Sequence, residues 1–120
     1  MIEPVKLIGA WTLVKHGRFD QLGKYHPTGE KMNGQLNYGP DGSMSVLITK
    51  IPEPLQLNDL IVYAGSFSVD GNKVSHHIKI SPDPKRRNTI EIRSASFHGD
   101  DLVLTADVGE NWRYEIVWRR

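Results

Sequence analysis

The 120-residue chain has no cysteine, which removes disulfides, thiol nucleophiles and cysteine-ligated zinc together. It also has no apolar run near the roughly 20 residues that a membrane-crossing helix needs. Charge of one sign is missing too: 15 Lys and Arg stand against 14 Asp and Glu, a net +1. That balance offers nucleic acid no basic face. The single basic cluster, Lys85-Arg86-Arg87, lies between Pro84 and Asn88 and reads as a solvated hairpin tip. No Gly-x-Gly-x-x-Gly occurs, and Gly39-Pro40-Asp41-Gly42 is turn chemistry rather than a phosphate loop. The first residues, Met1 to Lys6, lack the basic and apolar regions of a secretory signal. The expectation is one cytoplasmic domain over residues 1–120, with neither membrane nor nucleic acid as partner.

What is present is strand alternation broken by tight turns. The first strand is read over Leu7 to Val14, followed by an irregular stretch from about His16 to Asn33. Gly34 to Tyr38 and Ser43 to Ile48 flank the Pro40-Asp41-Gly42 turn. Lys50 to Asp59 carries Pro52 and Pro54 and reads as a loop across a barrel mouth. Ile61 to Val69 turns at Asp70-Gly71-Asn72 into Lys73 to Ile80. Asn88 to Phe97 turns at His98-Gly99-Asp100 into Asp101 to Ala106, and Trp112 to Trp118 is the last strand. About eight strands in meander order predict an all-β fold: one antiparallel up-and-down barrel with a central cavity.

Several of these pieces resemble the bacterial and fungal lipocalin-like domain family. They are Leu7 to Val14, which holds Gly9-Ala10-Trp11, then Tyr38 to Ser45, Tyr63 to Gly71 with Val74 to His77, and Arg93 to Phe97 with Gly99 to Leu102. The resemblance implies a barrel plugged at one end by Trp11, with Gly9 allowing close backbone approach. It also implies a cation from the last strand, Arg113, Arg119 or Arg120, stacked on that indole. It leaves the activity open, because such barrels include carriers of apolar molecules as well as cyclases and isomerases.

Strand parity nominates the interior. Ile61, Tyr63, Gly65, Phe67 and Val69 share one face. With Val69 opposite Val74, Phe67 meets His76 and Gly65 meets Ile78. Val74, His76, Ile78 and Ile80 then point inward, while Ser75, His77 and Lys79 point out. Adjacent His76 and His77 therefore diverge and form no paired metal site, and no metal-ligand spacing links them to His16, His26 or His98. The loop residues His16 and His26 are read as solvent-facing, and Asp100, Asp101, Asp107 and Glu110 as turn carboxylates.

The next hairpin has two readings. Pairing Ser81 with Asn88 sets His76 opposite Arg93 and Ile78 opposite Glu91. The slipped register turns Ile90 and Ile92 inward instead and leaves Glu91 and Arg93 in water. The first is preferred, because the following turn then sets Phe97 opposite Leu102 and Ala95 opposite Leu104. It gives an apolar cavity with a polar cluster of His76, Arg93 and Glu91, the candidate catalytic or orienting groups. Tyr38, Tyr63, Phe67, Ile78, Leu104 and Tyr114 are the candidate ligand contacts. Burial and Arg93 would depress the His76 pKa, leaving a neutral imidazole able to accept a proton or a hydrogen bond.

Two functions remain open on this reading. The first is binding of a small hydrophobic or amphipathic metabolite. The alternative is a cyclase or isomerase of a secondary-metabolite intermediate, without metal or nucleotide cofactor, using His76 and Arg93 as acid–base or oxyanion-stabilising groups. A filled interior would exclude both. An exposed rim would allow a homodimer without requiring one.

Overall fold

A computed structural model of the protein describes residues 1–27, 31–51, 60–108 and 111–120. After a one-turn helix α1 (Pro4–Leu7) come β1 (Gly9–Phe19), β2 (Tyr25–Pro27), β3 (Lys31–Tyr38), β4 (Ser43–Ile51) and β5 (Leu60–Asp70). Then follow β6 (Lys73–Ile80), β7 (Thr89–His98), β8 (Asp101–Val108) and β9 (Trp112–Arg119). Consecutive strands pair antiparallel from β3 to β9, and β1 pairs with both β3 and β9. The sheet therefore closes into an eight-stranded up-and-down barrel of lipocalin-like architecture, with short β2 added beside the far end of β1. Among the described residues no helix is long and apolar enough to cross a membrane.

The turn chemistry accounts for most of this order. Gly42, Gly71 and Gly99 all adopt positive φ at the hairpin tips, where an L side chain would be strained. The ladders Val69↔Val74, Phe67↔His76, Phe97↔Leu102 and Ala95↔Leu104 form as alternation predicts. The N-terminal third departs from expectation. β1 begins at Gly9, because Pro4–Leu7 is helical, and runs on to Phe19. The stretch from His16 to Asn33 is thus partly strand: the end of β1, all of β2 and the start of β3. Lys50 and Ile51 belong to β4, and the rest of the proline-bearing segment lies outside the described residues.

Two bulges reset which side chains face in. On β1 the register steps between Leu13 and Lys15, so Val14 is the unpaired extra residue and is exposed. Parity counted from Trp11 would turn Lys15 inward, and the bulge turns His16 inward instead. On β6 Gly65 pairs with Ile78 while Ala64 pairs with Ile80, so Lys79 is the extra residue. Ile80, expected inside, is consequently 70% exposed. The bulge needs Gly65: a Cβ there would overlap the carbonyl oxygen of His77.

One end of the barrel is shut. Trp11 is 1% exposed, donates its indole N–H to the Leu7 carbonyl at 2.8 Å and lies 6.3 Å from the Phe97 ring. Leu7, Leu102 and Trp118 complete the plug, and α1 lies over it with Ile2 N–H bonded to Gly71 O. Arg120 supplies the expected cation, its guanidinium 4.2 Å from the Trp11 ring centroid. Of the other two candidates, Arg113 stacks on Phe19 and Arg119 pairs with Asp101.

Candidate functional site

The opposite half of the barrel is hollow. A cavity of about 380 Å³ has apolar walls that include Leu36 of β3, Val46 and Ile48 of β4, and Ile61 of β5. Leu104 and Ala106 of β8 and Ile116 and Trp118 of β9 continue them. Each apolar wall position lies two residues from the next on its strand, the period that sends alternate side chains to one face. Tyr114 and His16 face each other near the mouth, their rings 5.6 Å apart. Burial holds the His16 imidazole below its ordinary pKa.

The polar wall comes from β5, β6 and β7. Glu91 and Arg93 face the cavity while Ile90 and Ile92 are more than half exposed, so the preferred face assignment holds. The pairing within it is shifted by two residues. His76 lies opposite Glu91, Arg93 opposite Val74, and Ile78 opposite Thr89. The connection causes this shift. Ser81 turns its hydroxyl onto Val62 O, and Asn88, at φ 61°, closes the loop by donating its N–H to Ile78 O. Ser81 and Asn88 therefore never pair across a short hairpin.

That same loop corrects the reading of Lys85-Arg86-Arg87 as a solvated tip. Arg87 donates to the Ser81 carbonyl, and Arg86 folds back over the mouth. Arg86 Nη1 meets Glu91 Oε1 at 2.6 Å, and Arg93 Nη2 meets Glu91 Oε2 at 2.9 Å. Two guanidinium groups from different elements therefore share one carboxylate.

Beneath them His76 is 2% exposed and engaged at both nitrogens. Tyr38 Oη lies 2.6 Å from Nε2 and Tyr63 Oη 2.9 Å from Nδ1. Burial, then the Arg93 and His77 charges, push its pKa down to about 3, so the ring is neutral. Neutral imidazole has one N–H and one bare nitrogen. Tyr63 has a second partner in Glu91, whereas among the described residues the buried Tyr38 hydroxyl bonds His76 alone. The arrangement that satisfies every group runs one way. Tyr38 donates to Nε2, Nδ1–H donates to Tyr63, and Tyr63 donates to the Glu91 carboxylate. Burial raises both phenol pKa values, and the Glu91 charge raises that of Tyr63 further. Both tyrosines stay protonated.

The sequence candidates thus divide by depth. His76, Arg93, Glu91, Tyr63, Leu104 and Tyr114 line the cavity. Tyr38, Phe67 and Ile78 lie in the core behind it, with the Tyr38 and Phe67 rings 4.6 Å apart. The imidazole expected to be free for a ligand has no nitrogen to spare. Arg86, His16 and Asp107 were assigned to loops or turns, yet they border the cavity. Alternation in Met44, Val46 and Ile48 was a usable signal for the β4 wall. No local signal marks Arg86, because a loop delivers it. Among the described residues no three His, Asp or Glu side chains converge as a metal site. Ser66 and Ser68 stand near His77 on the outer face, and Ser68 Oγ lies 3.1 Å from His77 Nε2.

The sequence matches no protein-family model, and it matches no curated protein.

Proposed function

We propose that the barrel binds a small hydrophobic or amphipathic molecule inside its cavity, apolar body against the β3, β4 and β8 walls and polar end at Arg86, Glu91 and Arg93. One observation carries this reading: a largely apolar cavity of about 380 Å³ in which Arg86, Glu91 and Arg93 cluster on one side. Ligand sites in general are apolar concavities of about 300–1,000 Å³ with a few convergent polar groups. A barrel needed only for its shell would fill that space with side chains. The lipocalin-like resemblance of Gly9-Ala10-Trp11 and the hairpins that follow supports the same reading.

The test is to fill the cavity. Ala106→Trp places an indole in the cavity on the β8 wall, opposite Tyr114 and two residues from Leu104. Saturable binding of an apolar fluorescent probe is expected to weaken at least about tenfold while the circular dichroism of the barrel persists. Unchanged probe affinity in the folded variant would place binding elsewhere.

A second reading, cofactor-independent cyclisation or isomerisation, draws support from the directed Tyr38–His76–Tyr63–Glu91 chain. In it the Arg93 guanidinium, at the cavity wall, is the group that touches substrate, as hydrogen-bond donor to a developing oxyanion. His76 is then a positioning residue. With an intermediate from neighbouring biosynthetic genes as substrate, Arg93→Gln is expected to lower turnover about a hundredfold and leave affinity for the apolar probe within about twofold. Parallel loss of both would return the site to binding alone.

A further inference from the structure

Building on the binding reading, we propose that the ligand is a monoanionic amphiphile, a small carboxylic acid whose headgroup sits between Arg86 and Arg93 alongside Glu91. The argument starts from charge. Two guanidinium groups and one carboxylate leave an excess of one positive charge on this wall. The neighbouring groups do not cancel it. Asp83 is 3.9 Å from Arg86 Nε, but its side chain is 46% exposed, so water screens the pair. Asp107 borders the cavity from β8 but is exposed, so water screens it too. Burial disfavours the charged form of both His16 and His76.

Donor geometry points the same way. An arginine facing a carboxylate commonly grips it with two parallel N–H bonds. Here each arginine gives Glu91 a single N–H, to a different oxygen. Arg93 places one further N–H on the Ile92 carbonyl. A guanidinium has five N–H donors, so both forks keep donors for a second oxyanion. Adding one carboxylate brings the wall to neutrality, whereas a cation would add to the excess. Leu36, Val46, Ile48 and Ile61 supply the apolar remainder, and a volume near the lower end for ligand pockets sets the size as small.

Calorimetry on the intact protein near neutral pH, with decanoate, decanol and decylammonium, tests this. Decanoate is expected to bind about tenfold tighter than decanol, with decylammonium weakest. Arg86→Gln and Arg93→Gln are each expected to erase the decanoate preference over decanol, with circular dichroism reporting an intact barrel. A preference that survives in both variants, or equal binding of decanoate and decanol by the wild type, overturns the acid assignment and leaves cavity binding standing. Failure of all three amphiphiles to bind the wild type overturns both. Should one variant unfold, Arg93→Lys serves in its place, with the preference expected to shrink because a point charge replaces the fork.

Discussion

Acidifying the protein from about pH 6.5 to about pH 4 is expected to remove on the order of 3 kcal/mol of its folding stability. The group responsible is His76. Its imidazole takes a proton near its ordinary 6.5 when the chain is unfolded and near 3 when folded. Between those values the unfolded state holds more protons, so stability is complete above the upper one and falls as pH drops through the window. Protonation would also break the directed chain. A second N–H at Nε2 would face the Tyr38 hydroxyl, which could accept it only by leaving its own proton unpartnered. His16, also lowered by burial, adds to the effect with the same sign. Asp20, Asp41 and Asp101 have carboxyls held below their ordinary 3.8, so their contributions are lost below this window. Urea denaturation across the pH range measures the slope. His76→Gln is expected to flatten most of it, and nitrogen chemical shifts of His76 are expected to report the Nδ1–H tautomer throughout. A variant as acid-sensitive as the parent would remove His76 from the account.

Trp11→Ala is expected to cost about 3–5 kcal/mol, the range for deleting a large aromatic from a packed core. The indole is almost wholly buried between Leu7 and Phe97, and its loss opens a void at the closed end. It also removes the hydrogen bond that ties α1 to β1 and the surface on which Arg120 stacks. The measurement is the denaturant midpoint at constant slope. Trp11→Phe keeps much of the volume but neither the indole N–H nor the larger ring, and should recover part of the loss. A Trp11→Ala effect below about 1 kcal/mol would mean the plug is held by its neighbours.

The β5–β8 half of the barrel was legible because turn chemistry and alternation agree there. Asp70-Gly71-Asn72 and His98-Gly99-Asp100 pin their hairpins, and once a tip is fixed every inward residue follows by counting. Counting fails where a residue is inserted. The extra Val14 and Lys79 each reverse parity, which hid His16 and misplaced Ile80. Neither bulge has a local marker short of knowing that Gly65 must let a carbonyl approach. Alternation gives the right face for β6–β7 but a register two residues off, because the connection folds on itself instead of turning tightly. Face alone was enough to put Glu91 and Arg93 inside. It could not show that both imidazole nitrogens would be taken by phenols 38 and 13 positions away.

Sealing the ring by pairing β1 with β9 has a consequence for how the molecule is made. The contacts that shut it join distant parts of the sequence: Arg120 reaches the Ile8 carbonyl across 112 positions. On a ribosome β1 can pair with β3 and the later hairpins can zip in order as they emerge, while the other edge of β1 waits for β9. A nascent chain lacking that last strand exposes two raw edges and an open greasy trough. The interval before the final strand arrives is therefore when this chain is most exposed to sticking to its own kind.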